Sequence, residues 1–296
     1  MQRYSGFCVI ISLAFSFIVS GCATTYNPAT GQKEFIFITT PMEVSLGNKL
    51  ASEISKDFKI SSDSQKIDRV NEIGKKVVDV CDRKDLEYKF AVIEDDELNA
   101  FTTPGGYVYI NSSVIEMATD DELACVIGHE VGHVAARHIA KKLQAQIGYD
   151  ILLNIAATKA NLGELQQAVS ISYDLVMLGY SRGDELLSDR LGVKYAYKAG
   201  YDPYAMITFL EKLKDTEKER MGPVFLRSHP YTSQRIKMIN KQISGIIDKV
   251  DHVEKKPVLT QATEDKTNPL RVMCPECKRI FSGKTNYCPY DGTKLQ

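Results

Sequence analysis

One helical segment, over residues of about 120–146, constrains this chain more than any other feature. The run from Thr119 to Glu122 fits a capping box, in which a threonine hydroxyl and a glutamate carboxylate satisfy free backbone N–H groups at a helix start. His129 and His133 follow four residues apart, so both imidazoles lie on one side of the helix and can reach one cation. The sequence therefore predicts a capped helix that carries part of a metal site.

Other residues of this segment add to the prediction. Glu130 is rotated by about 100° from His129 around the helix axis, which suits it to hold a water molecule rather than a cation. Gly128 and Gly132 each precede a histidine, although glycine inside a helix costs up to about 1 kcal/mol relative to alanine. We interpret these glycines as a backbone kept bare for close packing or for substrate.

Two histidines do not complete a catalytic zinc site, because such a site has three protein ligands and one open position. His138 lies nine residues past His129, which is the opposite side of a continuous helix. We therefore expect His138 to pack or to lie at the surface rather than to bind the cation. The remaining candidates are acidic residues further along the chain.

The spacing of apolar residues predicts a mainly helical domain over residues 41–249, with one helix over residues 184–199. Four other helices are defined by apolar stripes: Leu46, Leu50, Ile54 and Phe58; Ile67, Val70, Ile73 and Val77; Phe209 and Leu213; and Ile236, Ile239, Ile243 and Ile247. Residues 88–93 predict a strand, and residues 99–102 and 107–110 predict a hairpin around a Pro-Gly-Gly turn. The predicted fold class is α+β, mainly helical with a small sheet.

The two ends of the chain differ from this domain in composition. Residues 1–21 combine a positive start, a short apolar run and small residues, which is typical of a secretory signal. Residues 22–40 are rich in Thr, Asn, Pro and Gly, and we interpret them as a tether. Periodicity disappears over residues 250–270, which predicts a linker, and residues 271–296 form a small cysteine-bearing module.

Charge and hydropathy disfavour two classes of function. Lys and Arg number 37 and Asp and Glu number 38, and nucleic-acid binding needs a clear basic excess. An intramembrane prenyl-protein protease is disfavoured because no apolar stretch beyond the signal reaches about 20 residues.

Residues 180–192, YSRGDELLSDRLG, resemble the second motif of the CAAX prenyl protease and HtpX-like family of zinc peptidases, which are gluzincins. The resemblance implies a zincin-type metallopeptidase domain. The metal-binding glutamate of that motif lies four residues before an aspartate, which implies Glu185 as the third zinc ligand. Asp189 would then support a ligand histidine through a hydrogen bond. Ser188 stands where the family usually has alanine, which leaves the assignment unchanged.

Two further segments extend the resemblance over residues of about 42–245. Asn99, Ala100 and Phe101, with the turn that follows, resemble the segment before the zinc helix, and such a strand could bind an extended substrate at a sheet edge. The run Ser228-His229-Pro230, followed by Arg235-Ile236, resembles a late motif whose histidine approaches the zinc site, to steady an oxyanion or to occupy the open position. Without the resemblance, His229 would be interpreted as a turn or cap residue.

The resemblance implies a zinc-dependent metalloendopeptidase with polypeptide substrates, in which His129, His133 and Glu185 hold zinc and Glu130 is the general base. Family members with lipoprotein signals imply a role in envelope protein quality control. The alternative is a chaperone or assembly factor whose protease centre is silenced most of the time.

The residues that end at Cys22 resemble a bacterial lipobox, in which the cysteine is lipidated and becomes the first mature residue. Acyl chains on Cys22 would hold the protein on a membrane of the cell envelope, facing the periplasm. Ala23, in place of aspartate, implies the outer membrane. A plain signal peptide or an uncleaved anchor is the alternative.

Four residues of the tail module resemble the ligand set of a zinc ribbon: Cys274, Cys277, Cys288 and Asp291. Asp291 stands in place of a fourth cysteine. This implies a second, structural zinc, and we expect the module to dock a protein partner or to position the enzyme. A Cys274–Cys277 disulfide is the alternative. A Cys81–Cys125 bridge is possible in an exported protein, but we expect buried free thiols.

Overall fold

The computed structural model describes residues 24–146, 179–216, 227–230, 232–254, 271–273 and 280–282. The chain divides into two compact units, residues 1–251 and residues 252–296. The labelled helices of the described part are α1 Thr40–Asp57, α2 Ser64–Val80, α3 Ser112–Met117, α4 Asp120–Ala135, α5 Arg182–Lys198, α6 Ala205–Thr216 and α7 Thr232–Glu254, and residues 138–146 are also helical. The strands are β1 Thr24–Asn27, β2 Gln32–Phe35, β3 Lys89–Ile93, β4 Ala100–Thr103, β5 Tyr107–Asn111, β6 Arg271–Met273 and β7 Ile280–Ser282. The predicted α+β class, mainly helical with small sheets, is confirmed.

The central sheet has the strand order β3-β5-β4. β4 and β5 form the predicted antiparallel hairpin, in which Phe101 is opposite Tyr109. The turn between them is a short 3-10 segment, and Gly105 adopts the left-handed φ of 79° that favours glycine. β3 pairs with β5 in parallel, which leaves β4 at the edge beside helix α4.

Helix α4 lies at the centre of the domain, packed between α5, α2, α6 and the sheet. The predicted capping box is present, with reciprocal bonds between Thr119 and Glu122. Every residue from Glu122 to Ala135 is buried. A helix that is buried on all sides consists mainly of apolar residues. Each polar side chain that it carries therefore needs a specific hydrogen-bond partner or ligand.

The prediction of one continuous helix over residues 120–146 was wrong at one point. α4 ends at Ala135, Arg137 adopts a left-handed φ of 59°, and the chain is helical again over residues 138–146. The Arg137 guanidinium pairs with the Glu43 carboxylate and donates to the Ile38 carbonyl oxygen. These partly buried contacts hold the arginine in a conformation that L-residues rarely adopt.

The segment interpreted as a tether contains a β-hairpin, because β1 and β2 pair antiparallel. After it, Ile36 and Ile38 are buried against residues 140 and 143. At the other end, helix α7 continues to Glu254, past residue 250 where the linker was expected to begin.

Cys81 and Cys125 are free and buried, as expected. In the second unit, β6 and β7 pair antiparallel. Cys22 and the proposed tail ligands lie outside the described residues: Cys274, Cys277, Cys288 and Asp291. None of the helices in the described part has both the length and the apolar character that a membrane span requires.

Candidate metal centre

Helices α4 and α5 bring three candidate ligands together. The Nε2 atoms of His129 and His133 are 3.0 Å apart. The Glu185 carboxylate of α5 places one oxygen 3.4 Å from His133 Nε2 and the other 3.6 Å from His129 Nε2. All three side chains are at most 1% exposed.

His229 joins this cluster from the turn before α7. Its Nδ1 atom lies 3.2 Å from His129 Nε2 and 3.0 Å from Glu185 Oε1. One ligand atom from each of these four residues lies within 4.8 Å of the other three. The structure thus places two helix histidines, a carboxylate and a third imidazole around one point.

These residues fit a zinc ion in donor type and in spacing. Imidazole nitrogen and carboxylate oxygen are zinc ligands at about 2.0–2.2 Å, and the edges of a tetrahedron of that radius are about 3.3–3.6 Å. The five ligand–ligand distances given above are 3.0–3.6 Å. Such converging lone pairs repel one another unless a cation or protons lie between them.

Glu130 is buried beside the cluster. Neither of its carboxylate oxygens accepts a hydrogen bond from a described residue, although His229 Nε2 lies 3.4 Å from Oε1. Burial raises the pKa of Glu130, because its charged form has lost water, while His229 and His129 act in the opposite direction. A buried carboxylate with a raised pKa and open acceptor positions suits proton transfer.

The opposite nitrogen of His129 is held by a carboxylate. Asp189 Oδ1 lies 2.9 Å from His129 Nδ1, which fixes the tautomer whose Nε2 lone pair points into the cluster. Arg235 binds Asp189 through two nitrogens at 2.8 and 2.6 Å and also lies 3.0 Å from Glu185 Oε2. Burial opposes ionisation of Glu185, but His229 and Arg235 hold its pKa well below the usual range.

The late motif that the sequence shares with the family includes Arg235, but sequence reasoning assigned this residue no role, and it is 1% exposed. The available signal was its position four residues before Ile239 and eight before Ile243, which puts a charge on the buried stripe of α7. A charge on such a stripe needs a buried partner, and here the partners are Asp189 and Glu185.

His138 was wrongly placed on the far side of the helix. Because the helix breaks at Arg137, the His138 ring returns to His133, with the two Nδ1 atoms 2.9 Å apart. Burial lowers the pKa of His138 to about 4, so the ring is neutral at pH 7 and can accept a hydrogen bond. Its Nε2 lies 3.3 Å from Asp184. His138 therefore packs, as expected, but it packs against a candidate ligand.

Tyr180 covers the cluster from another side. Its ring centroid lies 3.8 Å from that of His133, and its backbone N–H donates to the Ser228 carbonyl oxygen at 3.2 Å. Lys142 Nζ lies 3.8 Å from the centroid of the Tyr180 ring. With Glu130 and His229 fully buried, the site is closed to solvent in this conformation.

The glycines of α4 allow α5 to approach. A Cβ atom on Gly128 would lie 2.9 Å from the Gly192 carbonyl oxygen, and one on Gly192 would lie 2.8 Å from the His129 nitrogen. A Cβ on Gly132 would meet the Ser188 carbonyl oxygen at 3.2 Å. Close packing of two helices is therefore the reason for these glycines, and the approach carries Glu185 to the histidines.

The predicted substrate strand lies at the sheet edge. Ala100 and Phe101 belong to β4, which contacts α4. Asn99 is buried just before it, and its side-chain oxygen accepts no hydrogen bond within the described part of the chain. Phe101 stacks on Tyr109 with ring centroids 4.9 Å apart.

Comparison with known proteins gives a consistent result. The profile of Peptidase family M48 matches residues 64–243. The beta-barrel assembly-enhancing protease of Escherichia coli (strain K12) is 25% identical over 250 residues, which cover 80% of this chain and 49% of that protein. The chain thus spans about half the length of that relative.

Two other relatives are matched over a larger share of their own length. The metalloprotease LoiP of Escherichia coli (strain K12) is 24% identical over 246 residues, covering 80% of this chain and 96% of that protein. The mitochondrial metalloendopeptidase OMA1 of Schizosaccharomyces pombe is 27% identical over 222 residues, covering 73% of this chain and 65% of that protein. The structure of S. mikatae Ste24p matches at a TM-score of 0.37, too low to support an argument.

Proposed function

This chain belongs to Peptidase family M48, and from that premise we propose that it is a zinc-dependent metalloendopeptidase that hydrolyses polypeptides. The observation that carries the proposal is the convergence of ligand atoms from His129, His133, Glu185 and His229 beside a buried Glu130. The finer resemblance to the CAAX prenyl protease and HtpX-like enzymes is part of the same proposal.

In this proposal, His129, His133 and Glu185 hold the zinc. Zinc bound at such a site would act as a Lewis acid, which activates a water molecule and polarises the scissile carbonyl group. Glu130 takes a proton from the attacking water and passes it to the leaving amine, a role that its raised pKa supports. His229 either steadies the developing oxyanion or occupies the open position in a resting state. Asp189 orients the His129 ring.

The substrate is proposed to add to the edge of β4 as an extended strand, through Asn99, Ala100 and Phe101. Because the five central side chains are at most 1% exposed, the site must open before a polypeptide can enter. The same closure favours the second candidate, a chaperone or assembly factor whose protease centre is silenced most of the time.

A location in the bacterial envelope fits the relatives. One of them is named for assembly of β-barrels, which are outer-membrane-type proteins. We propose that a lipid on Cys22 holds the chain at the outer membrane, facing the periplasm, with envelope proteins as substrates. The tail module is proposed to hold a second, structural zinc through Cys274, Cys277, Cys288 and Asp291 and to dock a protein partner.

The test compares Glu130→Gln with Glu53→Gln, which makes the same chemical change at an exposed position of α1. Glu130→Gln is expected to keep its zinc and to lose casein hydrolysis, by a factor of about 10²–10⁴ in rate. Glu53→Gln should keep both, and a chelator should abolish its activity. Full hydrolysis by Glu130→Gln would remove Glu130 from the mechanism. Metal-independent rescue of a folding client would favour the chaperone.

Zinc analysis of the mature protein addresses the tail module. Two zinc atoms per chain should fall to one when the last 27 residues are removed. An unchanged zinc content would contradict a structural zinc in the tail.

A further inference from the structure

The N-terminal hairpin exposes an unusual amount of aromatic surface. Within the described residues, six large hydrophobic side chains are prominently exposed, and four of these fall within residues 26–42. Tyr26 is 60% exposed, Phe35 is 57% exposed and Phe37 is 41% exposed. Scattered exposed apolar residues need no explanation, but a concentration of them marks an interaction surface.

These aromatic residues share one face, here called the outer face of the hairpin. In the β1–β2 register, Tyr26 is opposite Lys33 and Thr24 is opposite Phe35, and such partners project to the same side. The alternation continues beyond β2, where Phe37 is exposed while the residues before and after it are buried. The rings of Phe35 and Phe37 are in edge contact, with centroids 6.4 Å apart.

The inner face of the hairpin is fixed to the helical residues 138–146. The Gln144 side chain accepts from the Phe37 N–H at 2.8 Å and donates to the Phe35 carbonyl oxygen at 3.0 Å. Lys141 Nζ lies 2.7 Å from Glu34 Oε1. The apolar side chains between the two elements form one buried cluster: Ile36, Ile38, Ala140 and Leu143. The aromatic rings are therefore presented outward by a fixed support.

We propose that the outer face is a membrane-docking surface, which inserts Tyr26, Phe35 and Phe37 into the headgroup region of a phospholipid bilayer. Aromatic side chains are enriched at this depth, and an exposed lysine such as Lys33 suits the phosphate groups there. The proposal rests on the proposed lipid anchor for its geometry. Cys22 is two residues before Thr24, so an extended chain separates them by at most about 7 Å. A lipid on Cys22 would bring the outer face to the bilayer surface.

The hairpin would supply a second signal for membrane attachment. Acyl chains on Cys22 would hold the chain near the bilayer, and burial of apolar side chains at the interface would add to that attachment. A rigid aromatic face would also fix the orientation of the domain on the membrane, which a flexible tether could not do.

The first experiment uses the mature chain with Cys22→Ser, so that no lipid contributes. Binding to vesicles of phosphatidylethanolamine and phosphatidylglycerol is measured by sedimentation. We expect the combined changes Tyr26→Ser, Phe35→Ser and Phe37→Ser to lower the partition coefficient at least about tenfold. The control changes Ile60→Ser and Tyr204→Ser remove exposed apolar side chains elsewhere and should leave binding unchanged. Equal losses in both variants, or no loss in the first, would overturn the proposal.

The second experiment measures tryptophan fluorescence and leaves the outer face of the hairpin apolar. The chain contains no tryptophan, so Phe35→Trp introduces a single fluorescent reporter. Its emission should shift to shorter wavelength when vesicles are added, whereas that of Tyr204→Trp should not. A shift on concentration of the protein without vesicles would instead identify a second copy of the chain as the occupant and would overturn the proposal.

The two proposals fail separately. Casein hydrolysis in solution should be unaffected by the three serine changes, and the mass of the mature wild-type chain reports lipidation independently. Vesicle binding by a protein that shows no protease activity would contradict the proposed function but not the docking surface. A lipidated and active protein whose outer face does not bind vesicles would contradict the docking surface but not the proposed function.

Discussion

Each helix histidine presents one ring nitrogen to the candidate metal position and the other to a fixed partner. For His129 the partner is Asp189, and for His133 it is the neutral ring of His138. A ligand that uses Nε2 must carry its proton on Nδ1, so His133 would donate to His138 and His138 in turn to Asp184. The tautomer of each ligand is thereby fixed by a hydrogen bond.

His138→Ala removes the acceptor of His133 and should raise the zinc dissociation constant about 10–100-fold. His138→Gln keeps an acceptor oxygen on the side chain and should recover part of the affinity. Competition with a chromophoric zinc chelator measures both variants. Equal affinity in the wild-type chain and in His138→Ala would show that the contact does not orient the ligand.

The sequence could not place His138, because its position depends on one backbone angle. Helical periodicity assumes that the helix continues, and Arg137 shows no local signal for a left-handed conformation. The positions of His129, His133 and Glu185 depend on helix geometry and motif spacing, so they could be predicted. The buried role of Arg235 could also have been predicted, because this residue places a charge on an apolar stripe of the helix.

Among the elements, the close approach of α4 and α5 decides whether the candidate site exists. Gly128 and Gly192 face each other across this contact, where a Cβ atom on either would lie under 3.0 Å from backbone atoms of the other helix. Backbone atoms cannot move aside as a flexible side chain can. The distance between Glu185 and the histidines is therefore set by two residues that have no side chain.

Gly128→Ala should lower the free energy of unfolding by about 1–3 kcal/mol, despite the higher helix propensity of alanine. The variant should also bind zinc more weakly, because Glu185 moves with α5. Gly245→Ala is the matched control within helix α7, where an added Cβ meets nothing within 4 Å, and it should stabilise the protein by up to about 1 kcal/mol. Urea unfolding measures both, and a stabilised Gly128→Ala variant would contradict the packing argument.

The elements themselves were predictable where local patterns decide them, as for α1, α2, α5 and the β4–β5 hairpin. The pairing of β3 with β5 was not, because β4 lies between these two strands in the sequence and no local turn joins them. The N-terminal hairpin was missed for a different reason. Its strands have four residues each, and their Thr, Asn and Gly content is typical of a tether.

At the scale of the whole first unit, a buried ion cluster joins three distant parts of the chain. Glu43 of α1 pairs with Arg83 at 3.0 Å and with Arg137, which follows α4. Arg83 also donates to the Val134 carbonyl oxygen at 3.0 Å, at the end of α4. The Glu43 carboxylate thus pairs with two guanidinium groups, and Arg83 has a second, exposed partner in Asp85 at 3.0 Å.

Glu43→Gln should destabilise the protein by about 3–5 kcal/mol, because the buried Arg83 then keeps only the exposed Asp85 as a described counter-charge and Arg137 loses its carboxylate partner. Glu53→Gln makes the same change at an exposed position of α1 and should alter the free energy of unfolding by less than about 0.5 kcal/mol. Urea denaturation compares the two. Similar small losses in both variants would mean that solvent or nearby groups compensate the arginines.

Zinc held by His129, His133 and Glu185 would join α4 to α5, so its removal should loosen the unit without unfolding the core around α4. Zinc that binds only the folded chain stabilises it by about 4 kcal/mol when its free concentration is a thousand times the dissociation constant. A chelator should therefore lower the thermal midpoint of the wild-type chain and of Glu130→Gln by a similar amount. Glu185→Ala should begin with a lower midpoint and respond less.

Calorimetry with and without chelator measures these differences. Zinc released from the tail module would be lost by all three proteins alike, so the comparison isolates the site at Glu185. A chelator effect of equal size in Glu185→Ala would show that this carboxylate does not hold the metal. The remaining ligands would then hold the metal, and Glu185 would contribute through its buried ion pair with Arg235, which joins α5 to α7 without a cation.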